Sequence, residues 1–490
     1  MENINKELLH KSASLNTRRL FLKTAGLSLG AMALGAFQNP LLGNNNFLND
    51  PKPLAPKQPH FAAKAKAVIY LHMAGAPSQL ELFDYKPELH KLHGQRCPTS
   101  FMEGKEFAFI RGIPKMLGPQ AEFQQHGESG AWISERLPHL TKVADELSFL
   151  KAVYTNQFNH APAQLLMQTG SARIGRPSMG SWVTYGLGSE NENLPGFVVL
   201  TSGGNDPDAG KQVWGSGFLP SVYQGVNCRT KGDPVLYLSD PDGMSRDIRK
   251  ASIDAINKVN KMTHEEIGDP ETLTRIAQYE MAFKMQISVP EVMDVNKEPA
   301  YIHELYGTQP GKACFANNAL LARKLIEQGV RFVQLYDWGW DTHGNAKDGS
   351  LNHGFLQKCK DTDQAVAALL QDLKQRGLLE ETLVVWGGEF GRTPMQETRN
   401  GIDVQWAGRD HHPDAFTMWM AGGGIKQGYS HGATDEWGYT PVSGRQSIYD
   451  VQATILNQLG FDHERLTYQF QGRPFRLTDV EGEVIREILS

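Results

Sequence analysis

The sequence predicts an α/β protein with a mostly parallel central sheet and helices on both faces. Short apolar runs of strand length alternate with stretches of helical period along most of the 490 residues, which is typical of a parallel sheet covered on both sides. Several of these runs are followed by loops dense in glycine and ionisable residues. In open α/β sheets, ligands bind at the carboxyl ends of the strands. The sequence therefore predicts a ligand site at one edge of the sheet.

Six apolar runs predict the buried strands. They span residues 67–71, 147–154, 197–200, 330–336, 382–386 and 416–420. The helical stretches lie between them, and residues 361–377 are a clear case, because apolar side chains at 365, 366, 369, 370 and 373 share one face of a helix.

The N-terminal residues 1–37 predict an export signal. The stretch TRRLFLK at 17–23 places two adjacent arginines before a modest apolar run rich in alanine and glycine, which resembles a twin-arginine signal. We expect export by the twin-arginine machinery to a periplasmic or outward-facing location, with membrane contact only through an uncleaved signal. Alternatively, the arginine pair only begins an amphipathic helix. Residues 38–65, rich in asparagine and proline, predict a linker, and residues 66–490 predict the folded domain.

Charge and cysteine content exclude several classes of protein. The net charge is only -5 and no basic run follows the N-terminus, which argues against a nucleic-acid partner. Four cysteines are scattered without paired spacing. They predict neither a zinc ribbon nor a dense disulfide framework.

The first candidate site reads DWGWDTHGN and follows the run at 330–336. Asp337, Asp341 and His343 share odd parity, so an extended backbone would project them to the same side. Two carboxylates and an imidazole are a plausible ligand set for Zn, Mn, Mg or Ca. Alternatively, the aspartates and glycines form a turn in which His343 makes only local hydrogen bonds.

The second candidate site is GGEFGRTP, after the run at 382–386. Glu389 lies between glycines that allow close approach of a ligand. The guanidinium of Arg392 is suited to a sulfate, phosphate or carboxylate. Alternatively, Glu389 and Arg392 form an ion pair that only makes the loop rigid.

Two further segments contribute histidines. His411 and His412 precede the run at 416–420, and adjacent residues of a strand face opposite ways, so we expect one of them to reach the site. Asp410 or Asp414 would orient that histidine. His160 lies in NHAPAQLLMQTG, at a loop that leads into a helix capped by Asn159. Alternatively, these histidines are solvated or structural loop residues.

In order, these motifs resemble the alkaline phosphatase and sulfatase superfamily. More closely, they are similar to a sulfatase-like family of twin-arginine-exported bacterial proteins, a domain of unknown function recognised by GEFGRTP. The shared segments are MAGAPSQLELFDYKP, NHAPAQLLMQTG, GWDTHGN, GEFGRTP, DHHPDAF and QGRPFRLTD. The resemblance implies an alkaline phosphatase-like α/β sandwich with its site at the strand ends.

The resemblance also implies a divalent metal (Zn, Ca, Mg or Mn) and its ligands. These are Asp341 and His343 with Asp337 nearby, then Glu389, and finally His411 or His412. The sequence departs from the superfamily pattern at two places, one in the second candidate site and one in the loop after the first strand. Phe390 replaces a histidine, and no acid follows the first strand before Glu81, where His72 is the available substitute.

The segment NHAPAQLLMQTG departs further, since His160 stands in place of the sulfatase cysteine and Gln164 in place of its arginine. Formylglycine therefore cannot form there. One hypothesis is an exported, metal-dependent hydrolase of sulfate or phosphate esters, of glycans for example. His160 would attack or deprotonate water, Glu389 would be a ligand or base, and Arg392 would stabilise charge. Asn159 and Gln164 would contact the substrate.

The alternative hypothesis is a non-catalytic binding protein on the same scaffold, which grips an anionic glycan or an exported partner. The loss of the usual nucleophile and arginine favours it. The number of ionisable side chains at the predicted strand ends favours the hydrolase.

Overall fold

A computed structural model describes residues 52–229, 244–267, 270–399 and 402–490. The predicted export signal and the first part of the predicted linker lie outside these ranges. The last part of that linker, residues 52–65, is bound to the domain: the main-chain N–H of Lys57 donates to Leu187 O, and that of His60 donates to Gly460 O. Within the described residues, no helix combines the length and apolarity needed to cross a bilayer.

The strands are numbered in chain order. They are β1 Ala67–Ala74, β2 Phe123–His126, β3 Ala131–Ser134, β4 Ser148–Tyr154, β5 Phe197–Ser202, β6 Val226–Cys228, β7 Phe332–Trp338, β8 Thr382–Gly387, β9 Gly391–Arg392, β10 Thr398–Arg399, β11 Ile402–Asp403, β12 His411–His412, β13 Phe416–Ala421, β14 Tyr429–His431, β15 Ala433–Thr434, β16 Pro441–Ser443, β17 Gln446–Ser447, β18 Tyr468–Phe470 and β19 Arg473–Phe475.

The α-helices are α1 Gln79–Leu82, α2 Pro87–Lys91, α3 Thr99–Met102, α4 His160–Thr169, α5 Met179–Leu187, α6 Arg246–Ile267, α7 Pro270–Met293, α8 Ala300–Tyr306, α9 Phe315–Glu327, α10 Gly354–Gln375 and α11 Ile448–Gln458. Short 3-10 helices cover Leu140–Glu146, Gly210–Trp214, Ser221–Tyr223, Val295–Lys297, Leu379–Glu381 and Arg486–Ile488.

The central sheet runs in the order β14-β4-β13-β8-β1-β7-β5-β6, and β17 also pairs with β4. All of these pairs are parallel except those of β13, which is antiparallel to both β4 and β8. Each of the six predicted runs forms a strand of this sheet, which confirms the predicted fold class.

Two apolar cores cover the two faces of the sheet because successive side chains of a strand point to opposite faces. On β1, Ile69 and Leu71 belong to the core formed with α9 and α10. Val68 and Tyr70 belong to the core formed with α4, α5 and α11. Strands buried on both faces read as continuous apolar runs, and this explains the pattern of the sequence.

The sheet topology brings distant segments to one edge. The carboxyl ends of β4, β7 and β8 lie at this edge because these strands run in one direction. Strand β13 begins there because it runs the opposite way. The segments after β4, β7 and β8 and the segment before β13 contain the four predicted candidate sites.

Candidate metal centre

Four predicted site residues meet at this edge of the sheet: His160, Asp341, His343 and His411. His160 is the first residue of α4, after β4. Asp341 and His343 lie in the loop after β7, and His411 lies on β12, opposite Arg392 of β9. The site is therefore assembled from four segments that are far apart in the sequence.

The three imidazoles converge on one oxygen of Asp341. Its Oδ1 lies 3.0 Å from His343 Nε2, 3.3 Å from His160 Nε2 and 3.4 Å from His411 Nε2. His343 Nε2 and His411 Nε2 are only 3.1 Å apart. Three imidazole nitrogens and a carboxylate within this distance are a ligand set typical of Zn and other divalent transition metals.

The second ring nitrogen of each histidine is held by an oxygen. The partners of Nδ1 are Glu389 Oε1 for His160 at 2.7 Å, Glu397 Oε2 for His343, and the main-chain oxygen of Phe158 for His411 at 2.6 Å. A carbonyl oxygen only accepts, so His411 carries its proton on Nδ1. Metal-binding histidines are usually oriented in this way, with Nδ1–H donated to an oxygen and Nε2 directed at the ion.

Glu389 is fully buried beneath His160. Its Oε1 also accepts from the main-chain N–H of Gly75 and from Gln164 Nε2, each at 3.0 Å. Only glycine fits at position 75, where φ is +109° and a Cβ would lie 2.4 Å from Asp341 N. Burial raises the pKa of Glu389, but His160 and His72 outweigh this and hold it well below its usual range. The carboxylate is therefore ionised and orients His160.

Arg392 is fully buried and forms an ion pair with Asp341. The alternative interpretation of the GGEFGRTP segment, an ion pair between Arg392 and Glu389, is therefore not what the structure has. Its guanidinium donates to Asp341 Oδ1 at 2.5 Å and to the main-chain oxygens of Gly75, Ala76 and Arg409 at 2.6, 3.0 and 3.1 Å. These bonds engage all three guanidinium nitrogens. In this arrangement the guanidinium serves Asp341 and the main chain, and the binding of an anionic substrate by Arg392 stays a prediction.

The surroundings set different protonation states for the histidines. Burial lowers the pKa of His160, but the carboxylates of Asp341 and Glu389 raise it overall to about 9. Burial and the charge of Arg392 lower the pKa of His411 to about 3. Without a metal ion, His160 is therefore cationic and His411 is neutral at pH 7.

Asp337 lies outside the cluster, so its predicted role as a ligand is wrong for this arrangement. Ser202 Oγ donates to its Oδ1 at 2.7 Å, and Trp340 Nε1 and Lys358 Nζ contact its Oδ2 at 3.0 and 2.5 Å. Asp337 does not project to the same side as Asp341 and His343, because the chain leaves β7 at Trp338 and turns at Gly339, where φ is +109°.

His412 and Gln164 also depart from their predicted roles, and Asn159 does not form the predicted helix cap. His412 faces away, and its Nε2 contacts Tyr439 O at 2.7 Å, so only one of the two adjacent histidines reaches the site, as predicted. Gln164 has no exposed surface, and it braces Glu389, so it cannot contact a substrate. Asn159 is exposed at the start of α4 and makes no capping hydrogen bond through its side chain.

Sequence reasoning missed the groups that orient His343 and His411. Nothing in the sequence pattern marks Glu397 as a site residue, because it follows the GEFGRTP motif in a segment without helical or strand periodicity. The expected partner of the histidine, Asp410, instead accepts from the main-chain N–H groups of Phe109, Ile110 and His411.

A family model described as "Protein of unknown function (DUF1501)" matches residues 65–489. The chain belongs to this family. The match agrees with the predicted membership in a domain family of unknown function, while the twin-arginine signal stays a prediction. No curated protein sequence matches the chain.

Several solved structures are similar to this DUF1501 chain at low identity. The PsFucS1 sulfatase from Pseudoalteromonas sp. is 12% identical, with a TM-score of 0.37 over 82% of this chain and 68% of that chain. An alkaline phosphatase from the Antarctic bacterium TAB5 is 10% identical, with a TM-score of 0.30 over 74% and 92%. The C-terminal periplasmic domain of EcEptC from Escherichia coli, in complex with Zn, is 10% identical, with a TM-score of 0.36 over 84% and 87%. Similarity this low carries no information about activity.

Proposed function

We propose that this protein is a metal-dependent hydrolase of sulfate or phosphate esters. The metal ion is held by His160, Asp341, His343 and His411. One observation carries the proposal: three imidazole Nε2 atoms converge on one carboxylate oxygen, while oxygen atoms hold all three Nδ1 atoms.

The side chains fit a divalent ion in two further respects. His160 Nε2 is buried, and Asp341 Oδ1, which lies 3.3 Å away, does not complete a hydrogen bond with it. A buried polar atom without a hydrogen bond is costly unless a ligand or ion occupies it. Glu389 and Glu397, which orient two of the histidines, are themselves fully buried. Such carboxylates fix the ring orientation and increase the basicity of the metal-binding nitrogen.

A bound divalent ion would polarise the ester oxygen and lower the pKa of a water molecule. The chain itself contributes orientation and access. Glu389 fixes the ring of His160, and the buried Phe390 lies 4.9 Å from the ring of His160 and 4.5 Å from that of His411, between centroids. Phe390 therefore keeps water from that side. The Asp341 side chain is 36% exposed, which leaves a path for an ester from solvent.

We assign His160 to metal binding and the attack on the ester to water. His160 Nδ1 contacts Glu389, and Nε2 is directed at the position proposed for the ion, beside Asp341. With the ion bound at Nε2 and Nδ1 held by Glu389, neither nitrogen would be free to form a covalent intermediate or to accept a proton. The reaction adds water across the S–O or P–O bond of the ester.

A non-catalytic binding protein is the second candidate, and the environment of Arg392 favours it. This arginine is fully buried and makes four hydrogen bonds, to Asp341 and to main-chain oxygens, so it is held away from a transferring group. On this view the metal ion holds an anionic glycan or an exported partner without turnover.

Hydrolysis assays separate the two candidates. Metal-free protein would be loaded with Zn, Mn, Mg or Ca and mixed with 4-nitrophenyl sulfate and 4-nitrophenyl phosphate. The hydrolase predicts turnover that depends on the metal and is lost in Asp341→Asn. Stoichiometric metal binding without hydrolysis of either ester would favour the binding protein.

We also propose that the protein is exported by the twin-arginine machinery and acts on glycan esters outside the cytoplasm. The stretch TRRLFLK supports the first part. A fusion of residues 1–50 to a reporter would test it, and export should stop when Arg18 and Arg19 are both changed to lysine.

A further inference from the structure

An exposed aromatic ring lies directly beside the metal centre. Phe109 is 36% exposed, although most aromatic side chains of the described domain are buried. Its ring meets the imidazoles of His343 and His411 edge-on, each at 5.3 Å between centroids. A flat apolar surface at this position can stack against the ring of a bound molecule.

A cationic side chain lies over the same ring. The guanidinium carbon of Arg399 is 5.1 Å from the centroid of Phe109, within the range of a cation–π contact. The Arg399 side chain is 45% exposed, and its Nε donates to Glu397 Oε1 at 2.8 Å. Within the described residues its two terminal nitrogens make no hydrogen bond, so they are donors for an anion.

The two residues are held in place by buried side chains. Asp410 Oδ2 accepts from the main-chain N–H groups of Phe109 and Ile110 at 2.7 and 2.8 Å. Thr398, which precedes Arg399 on β10, donates from Oγ1 to Arg111 O at 2.9 Å. The loop and the strand are thus joined to each other and to the segment that contains His411, so the pair has a fixed position relative to the metal ligands.

We propose that Phe109 and Arg399 form a substrate subsite for a ring that bears a second anionic group. This proposal rests on the proposed hydrolase, whose metal centre takes the ester. Phe109 stacks against the sugar or aryl ring next to the ester, and Arg399 pairs with a sulfate, phosphate or carboxylate on that ring. Arg399 supplies anion recognition from an exposed position, whereas Arg392 is fully buried.

Binding of non-hydrolysable anions to the metal-loaded protein tests the subsite without requiring turnover. The probes are benzene-1,3-disulfonate, benzenesulfonate and methanesulfonate, measured by isothermal titration calorimetry. The disulfonate should bind about tenfold more tightly than benzenesulfonate, as expected for a hydrogen bond between charged groups. Benzenesulfonate should in turn bind more tightly than methanesulfonate.

Substitutions assign each preference to its residue. Arg399→Ala should abolish the preference for the second sulfonate with metal content unchanged, and Arg399→Lys should keep part of it. Phe109→Ala should abolish the preference for the ring. Arg173→Ala is the matched control, since this exposed arginine lies beyond the far end of α4, about 15 Å from His160 along the helix.

Equal binding of the two aryl sulfonates by the unmodified protein, or a preference that survives in Arg399→Ala, would overturn the subsite. Selective binding of the disulfonate without hydrolysis of any ester would instead contradict the hydrolase and leave the subsite in place. The two failures are therefore distinguishable.

Discussion

His343 Nε2 and His411 Nε2 face each other at 3.1 Å, while the other nitrogen of each ring contacts an oxygen, of Glu397 and of Phe158. Two neutral imidazoles in these tautomers would direct two lone pairs at each other. The contact is therefore stable only with a positive charge between the rings, either a proton or a metal ion. The proximity of Asp341 favours that charge.

Adjacent histidines allow a matched test of the ligand assignment. His411→Ala should lower metal occupancy strongly, because it removes one of the four proposed ligands. His412→Ala should leave occupancy unchanged, because His412 is directed at Tyr439 O and not at the cluster. Elemental analysis of the two purified variants measures the difference, and equal metal content would contradict the assignment.

Glu397 should tune metal affinity without binding the ion. Glu397→Gln weakens the acceptor for His343 Nδ1–H, and loss of such a partner typically lowers metal affinity about 10–100-fold. Competition with a chromophoric chelator measures the affinity, and circular dichroism checks the fold. Glu380→Gln, at an exposed position, is the control. Unchanged affinity in Glu397→Gln would show that His343 does not bind the ion.

Metal affinity should rise with pH. His160 has a pKa raised to about 9. Burial lowers the pKa of His343, but Asp341 and Glu397 raise it overall. His160 therefore holds a proton at neutral pH that the ion must displace, so binding is weak at low pH and strengthens until the pH passes about 9. The raised pKa of His343 acts in the same direction. His411, with a pKa of about 3, adds no dependence near neutrality.

Calorimetry measures the protons released on metal binding. Titrations in two buffers of different ionisation enthalpy at pH 7 should show release of at least about one proton per metal ion, from His160. Metal binding without proton release would contradict the charged state of His160.

Glu81 should be essential for folding rather than for metal binding. It is fully buried and pairs with the buried Arg409 at 2.8 Å. Glu81→Gln leaves the buried positive charge of Arg409 uncompensated, so the free energy of unfolding should fall by about 3–5 kcal/mol. The exposed pair Lys66–Glu381 is the control, and Glu381→Gln should cost about 0–1 kcal/mol. Urea denaturation measures both values, and similar values would contradict the buried-pair argument.

The strands could be predicted from the sequence because their burial on both faces leaves a direct pattern of apolar residues. The helix predicted at 361–377 was placed correctly, but it begins at Gly354. In its first two turns only Phe355 and Cys359 are buried, four residues apart. Two apolar residues are too few to predict from the sequence where the helix begins.

The candidate site was predicted only in part. Asp341, His343, His160 and His411 follow or precede strands whose order brings them together, so the ends of the apolar runs located them. The group that orients His411 is the main-chain oxygen of Phe158, and a main-chain atom has no signature in the sequence. Glu397 contacts a histidine 54 residues away, which depends on tertiary structure alone.

The most direct test of the metal centre is the metal content of protein purified without chelator, measured by elemental analysis beside His160→Ala. We predict about one divalent ion per chain, strongly reduced occupancy in the variant, and thermal stabilisation when the ion is added back. Protein without bound metal that is not stabilised by Zn, Mn, Mg or Ca would contradict the account. Full occupancy in His160→Ala would contradict the role of His160 as a ligand.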